Sequence, residues 1–286
     1  MIKRILAGIC ILLLTLLSAS YFTACDKEDK PSEGLEFALC ADGKSYSVSG
    51  RGTCKNSRIV IPSTYEDLPV TEVKASAFYG ESIKSVVLPD SIQTIGIWAF
   101  KNCKDLSSVC FPEGLKTISS GAFSGCERIS EVELPTTLMN IGSKAFQLCR
   151  GLSRVVIPDG VKMIGDEAFS GCYNITDLVL GKEVSTLGKA VFKSCWSIRD
   201  LTIKGKMIKI SESTFEDCRA LEKLVIPKNI VCIGEWAFKG CNELSTLTYD
   251  GTEEEFKQIL FKENWRAESA VKEVACSDGI VVLDPK

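Results

Sequence analysis

Phenylalanine recurs along this chain at one fixed interval, and that period limits what the chain can fold into more than any other feature. The residues are Phe78, Phe100, Phe123, Phe146, Phe169, Phe192, Phe215 and Phe238, spaced 22 residues once and 23 thereafter. Alanine precedes six of them, with Val191 and Thr214 in the other two places. A cysteine follows three residues later at Cys103, Cys126, Cys149, Cys172, Cys195, Cys218 and Cys241. Proline stands eleven residues before the phenylalanine at Pro89, Pro112, Pro135, Pro158 and Pro227, while Gly181 and Lys204 take that place in two units. Pro62 opens a longer first unit that contains Ser63 to Pro69. A fixed period of this length marks stacked repeats, because a unit so small cannot bury its apolar side alone.

Each unit reads L-x-x-V-x-I-P, a turn, then x-x-I-G-x-x-A-F-x-x-C. The segment before proline alternates as a strand does: in Ile129 to Pro135, Val132 and Leu134 face one side and Glu131 and Glu133 the other. Proline ends the strand, since it has no amide hydrogen for the ladder. The Ile-Gly pair suits a second short strand or a tight corner, where glycine permits an unusual backbone angle. The A-F-x-x-C piece is expected to form one turn of α or 3₁₀ helix. Stacked at about 4.8 Å per rung, eight or nine units would make a rod or arc of roughly 40 Å, with columns of phenylalanine, isoleucine or leucine, valine and cysteine in its core.

That unit resembles the BspA-like leucine-rich repeat family of bacterial surface proteins. The flanks are similar to the same family: Gly34 to Phe37, Gly52-Thr53-Cys54 and Ile59 to Tyr65 at entry, and Tyr249 to Thr252, Phe256, Trp265 and Cys276 to Gly279 at the close. The resemblance implies a right-handed, β-rich solenoid of leucine-rich-repeat type with short helical turns, capped at both ends. It also implies adhesion to host matrix proteins or to other bacteria. The expected layout is a signal peptide over residues 1–24, a lipidated tether over 25–34, an N-terminal cap over 35–54, repeats over 55–248, and a C-terminal cap of helix plus hairpin over 249–286. Asp42-Gly43 suits the turn of an N-terminal hairpin. Thr252 to Glu255 fits a capping box, followed by an apolar stripe of Phe256, Ile259 and Leu260. Ser277-Asp278-Gly279 fits the turn of a last hairpin.

The N-terminus carries an address. Lys3 and Arg4 precede an apolar run from Ile5 to Leu17 that is too short to span a bilayer. It ends in Phe22-Thr23-Ala24-Cys25, which resembles a bacterial lipoprotein box with Cys25 as the acylated residue. Acyl chains hold a protein at about 0.8 kcal/mol per buried methylene. The polar Asp26 to Gly34 segment then reads as a tether, and its acids resemble a surface-export signal. The expected location is the bacterial outer membrane, lipid-anchored and facing the exterior.

Chemistry is limited by composition. The chain has no histidine, which removes His-based triads, His-ligated zinc and the usual proton shuttle near neutral pH. Loss of Lys3 and Arg4 with the leader takes the formal net charge from −3 to −5. A mildly acidic surface argues against nucleic-acid partners. No cofactor or metal is expected: the ladder cysteines lie along an axis rather than in C-x-x-C clusters. Parallel neighbours at about 4.8 Å also fall beyond the ~3.8 Å that a disulfide asks of its β-carbons. Small buried thiols are therefore expected, unreactive for want of a base or cation. Cys40, Cys54, Cys110, Cys232 and Cys276 lie outside the ladder, and a Cys40–Cys54 bond stays open. Asp177 and Asp200, at the same strand position in neighbouring units, invite a two-carboxylate hydrolase reading, yet no aromatic platform or pocket accompanies them.

The outward strand positions are free to vary. One column reads Arg58, Ser85, Ser108, Glu131, Arg154, Asp177, Asp200, Lys223, Thr246, and the next Val60, Val87, Cys110, Glu133, Val156, Val179, Thr202, Val225, Thr248. Arg154, Val156, Asp177, Val179, Asp200, Thr202, Lys223 and Val225 form the candidate binding face, since solenoids use extended sheet faces for recognition. Tyr173, Trp196 and Arg219, each following a ladder cysteine, are further candidate anchors. The function expected is non-enzymatic binding of a protein or glycan on host or other bacteria. Carbohydrate or nutrient capture is the alternative, and a row of exposed aromatics would favour it.

Overall fold

The computed structural model describes residues 29–204 and 206–284. The signal peptide, Cys25 and the start of the tether lie outside the described residues. No helix among those described is long and apolar enough to cross a membrane.

The repeats coil into a solenoid in which each unit after the first contributes one strand of three or four residues and one of two. The longer strands run from Arg58–Val60 through Glu131–Glu133, Arg154–Val156 and Asp177–Val179 to Thr246–Tyr249. The shorter ones run from Thr94–Ile95 through Asn140–Ile141 and Met163–Ile164 to Cys232–Ile233. Within each sheet the strands of both series pair in parallel and in register, so residues 23 apart face each other, as with Glu131, Arg154 and Asp177. In each long strand the central residue enters the core: Val132, Val155, Leu178, Leu201 and Leu224 are buried and their neighbours point out. The alternation read from Ile129 to Pro135 is therefore present, with Leu134 half-buried.

The third side differs from expectation. The A-F-x-x-C segments hold no helix; they are chained tight turns. Two residues per unit sit in the left-handed region, two before and two after the phenylalanine, as at Trp98 (φ 57°) and Asn102 (φ 60°), or Lys144 (φ 58°) and Leu148 (φ 59°). A left-handed residue at every fourth position breaks helical geometry. It also turns alternate amides along the axis, where they donate to the next rung, as Phe100 N does to the Ala122 carbonyl at 2.8 Å and Phe123 N to that of Ala145 at 2.7 Å. The remaining amides close turns within the rung, such as Cys103 N to the Phe100 carbonyl at 3.1 Å. Backbone polarity is thus satisfied between rungs on all three sides.

Glycine after the short strand has a reason other than the expected one. Gly96, Gly142 and Gly165 keep ordinary φ, and what they supply is closeness. A β-carbon on Gly165 would lie 2.4 Å from Ser143 N, and one on Gly96 would lie 2.6 Å from the Val73 carbonyl oxygen.

At the N-terminal end, Glu36–Leu39 and Tyr46–Gly50 form an antiparallel hairpin whose turn holds Asp42 and Gly43. The longer first unit contains a second hairpin, Thr64–Tyr65 with Leu68–Val73, turned through Glu66 and Asp67 at positive φ. At the other end the helix Glu253–Lys257 starts in a complete capping box between Thr252 and Glu255. It is shorter than the apolar stripe suggested. Phe256 and Ile259 are buried but Leu260 is 54% exposed, because Leu260–Phe261 joins the short-strand series instead. Glu273–Ala275 and Ile280–Val282 close the long-strand sheet as a hairpin.

Candidate functional site

The most regular residues are spent on the core. The phenylalanines stack face to face from Phe78 to Phe238, with ring centroids 5.2 to 5.9 Å apart. Trp265 closes the stack edge-on against Phe238. Each ladder thiol donates to the phenylalanine carbonyl of the preceding rung, from Cys103 to Phe78 at 2.9 Å through Cys149 to Phe123 at 3.2 Å to Cys241 to Phe215 at 3.1 Å. Burial pushes the thiols of Cys103 and Cys241 up to about 12 and those of the rungs between well above their ordinary value. All seven ladder cysteines are free, and a thiol held neutral is a poor nucleophile and metal ligand. Cys40 and Cys54 are also free, so the N-terminal cap holds no bond between them. Among the described residues no group of three or more acids, cysteines or histidines could hold a metal ion.

The strand face brings the candidate residues together as two exposed columns. Arg154, Val156, Asp177, Val179, Asp200, Thr202 and Lys223 are exposed and Val225 is half-buried. Register places Arg154 beside Asp177, with the guanidinium Nε 3.0 Å from the carboxylate, and Val156 beside Val179. Valine stays in the open at 37% and 46% exposure for those two positions. Glu131, Glu133, Arg154, Val156 and Pro158 outline a shallow depression at the centre of the face. Toward the N-terminus the face is covered: Ser32 N donates to the Val60 carbonyl at 2.9 Å, and Asp29 pairs with Arg58. The hydrolase reading of Asp177 and Asp200 gains nothing here. Asp177 is ion-paired to Arg154, and ladder hydrogen bonding is interrupted between Asp177–Val179 and Asp200–Thr202, which belong to separate sheets.

A second cluster lies on and beside the turn side, and composition alone did not reveal it. Tyr79 and Trp98 are each 49% exposed, with Lys101 Nζ 5.3 Å from the Trp98 ring. Trp236 stands beside Lys239 and above a charged groove of Lys193, Glu212 and Glu216. Glu216 is nearly buried. Burial pulls its carboxyl upward, yet bonds from Lys193 and Ser213 and the charges of Lys193 and Lys239 hold it below the usual glutamate value. Beyond the ladder cysteines, Arg150, Tyr173, Trp196 and Arg219 form one stack: Arg150 lies 5.6 Å from the Tyr173 ring, Tyr173 4.1 Å from Trp196, and Arg219 5.1 Å from Trp196. The 23-residue register carried the signal for this stack, since all four occupy one column. Arg150, Tyr79 and Trp98 were not singled out in the sequence because no motif isolates them.

Comparison with known proteins agrees with this geometry. The model of the BspA-type leucine-rich repeat region matches in six copies over residues 71–199 and 140–268. A leucine-rich repeat protein from Bacteroides ovatus superposes with a TM-score of 0.69 at 23% identity, covering 87% of this chain and 71% of that one. A leucine-rich repeat protein from T. pallidum superposes with a TM-score of 0.58 at 28% identity, covering 76% of this chain and 91% of that one. No curated protein matches at the sequence level.

Proposed function

The chain belongs to the BspA-type leucine-rich repeat family, and we propose that this member is a non-enzymatic binding protein that presents its strand face to macromolecules on host or other bacterial surfaces. The observation that supports this most is the persistence of Val156 and Val179 in the open, framed by Arg154 and Asp177 on one in-register sheet and by Asp200 and Lys223 on the next. An apolar stripe rimmed by charge is how recognition surfaces are commonly built, and a preformed surface lowers the entropy cost of association. The buried columns offer no competing chemistry: their thiols are held neutral. On this reading Cys25 is acylated and holds the protein at the outer membrane, facing out. The exposed Tyr79 and Trp98 favour a second reading, glycan capture, because aromatic rings supply apolar contact area with a polar edge.

Binding of the whole protein to arrayed matrix proteins and glycans tests both. A matrix-protein signal reduced by Val156→Ser with Val179→Ser is expected. A glycan signal reduced by Trp98→Ala instead would replace the first reading with the second. Cells carrying Cys25→Ala should lose surface labelling, and retained anchoring would remove the lipoprotein assignment.

A further inference from the structure

We infer that the stack of Arg150, Tyr173, Trp196 and Arg219 is a second recognition site, built for an extended acidic segment of a protein partner. It rests on the reading of the chain as a binding protein but lies on a different column from the strand face.

Tyr173 and Trp196 lie almost parallel, 10° between planes and centroids 4.1 Å apart. The guanidinium groups of Arg150 and Arg219 flank the pair at 5.6 and 5.1 Å. Each ring therefore has one face against the other ring and a cation over its remaining face, so a sugar cannot stack on either. That leaves the ring edges, and the polar groups of the stack are the Trp196 indole N–H, the Tyr173 hydroxyl and the guanidinium N–H groups. Except for the hydroxyl oxygen, this is a strip of donors without acceptors.

The charges point the same way. About half of the rung cations are matched to an acid one rung away, as Arg199 is to Glu222 at 3.1 Å and Lys189 to Glu212 at 2.8 Å. Arg219 is exposed and pairs with no carboxylate among the described residues. Arg150 keeps only a long contact of 3.5 Å to Glu127. Neither the Trp196 N–H nor the Tyr173 hydroxyl has a hydrogen-bond partner among the described residues. Donors repeating at the rung spacing, with Arg219 and the two ring groups unmatched and Arg150 shared with Glu127 one rung back, complement carboxylates presented at intervals along an extended chain. Tryptophan, tyrosine and arginine are also the residues that most often carry binding energy between proteins. Here their stacking fixes them before the partner arrives, which lowers the ordering cost.

The test uses the whole protein and fluorescein-labelled twelve-residue peptides of alternating Glu-Ser or Gln-Ser, read by anisotropy at low and at physiological salt. The expected result is binding of the Glu-Ser peptide with an affinity that falls steeply as salt rises. Arg219→Gln should weaken it at least fivefold and Trp196→Ala at least tenfold, while Lys55→Gln, at an exposed lysine outside either proposed site, leaves it unchanged. Arg219 is exposed and makes no ion pair, so its variant should fold even if Trp196→Ala does not. Equal binding of the Gln-Ser peptide, an Arg219→Gln variant that binds as the parent does, or a preference for a sulfated glycan over the Glu-Ser peptide would each overturn the assignment. A failed peptide experiment alongside a retained matrix-protein signal would remove this site alone. Loss of both would remove the binding reading beneath it.

Discussion

At the residue scale, each repeated position answers a packing requirement, and the requirement is stricter than side-chain type suggests. Gly165 is fixed by the Ser143 backbone, which a β-carbon would meet at 2.4 Å. Gly165→Ala is therefore expected to cost about 1–3 kcal/mol, as overpacking does, measured as a shift in the urea midpoint. The ladder cysteines are fixed by the preceding phenylalanine carbonyl and by the volume left beside each ring. Their thiols should resist alkylation in the native protein and react once it is denatured, counted by mass spectrometry with and without urea. Reaction in the native state would mean that these thiols are not held neutral. Both columns were legible in the sequence because one residue type repeats. The left-handed positions were not. Glycine fills them at Gly121 and Gly171, but Trp98, Leu148 and Ala190 fill them elsewhere, so no single residue type marks the site and the turns looked helical.

At the element scale, the solenoid has a weak seam. Ladder hydrogen bonding lapses in both strand series between the same two rungs: between Asp177–Val179 and Asp200–Thr202, and between Thr186–Leu187 and Lys209–Ile210; the long-strand series lapses once more, between Ser108–Cys110 and Glu131–Glu133, where the short strands stay paired. Gly181 and Lys204 stand at this seam where other units have proline, and Ser211 takes the place of the close-approach glycine, as Ser119 does in a rung whose short strand stays paired. The Ser211 hydroxyl donates to the Leu187 carbonyl at 2.6 Å, the carbonyl that a backbone amide reaches in other rungs, as Gly165 N does that of Ile141. Tyr173 and Trp196 stack across the same seam. Trp196→Ala should therefore cost more than its exposure implies, about 1–3 kcal/mol from lost ring contact and burial. Hydrogen exchange should show the rungs from Asp200 onward losing protection first. Uniform loss along the whole array would remove the seam.

Glu216 ties the turn side of the same region. Its folded pKa is depressed, so its contribution to stability is full above the ordinary glutamate value. That contribution is lost as pH falls through the folded value. Glu216→Gln should accordingly flatten the acid limb of the Tm-versus-pH curve. An unchanged acid limb would show that Lys193 and Lys239 do not act through it.

At the scale of the whole molecule, the division of labour is between columns. The period of 23 residues gave the architecture directly, because stacking forces the same residue types into the same columns. It gave the strand face as well, since alternation and register together decide which side chains point out. It gave the turn-side aromatics poorly, because a pair such as Tyr173 and Trp196 becomes a site only when the rungs bring them within stacking distance. The N-terminal hairpin and the C-terminal capping box lie outside the period and were legible instead from local turn and cap chemistry at Asp42-Gly43 and Thr252 to Glu255. The apolar stripe after that cap misled, because Leu260 is claimed by pairing with Cys232 in the last short strand.

The central claim is that specificity resides in exposed columns while the repeated core only holds them in place. The most direct measurement compares two variants of the whole protein against whichever matrix protein gives the strongest array signal. Val156→Ser with Val179→Ser should keep the parent Tm within a few degrees and lose at least tenfold in affinity. Cys149→Ser should lower Tm and leave affinity unchanged at temperatures where it is folded. A strand-face variant that binds as tightly as the parent would contradict the claim.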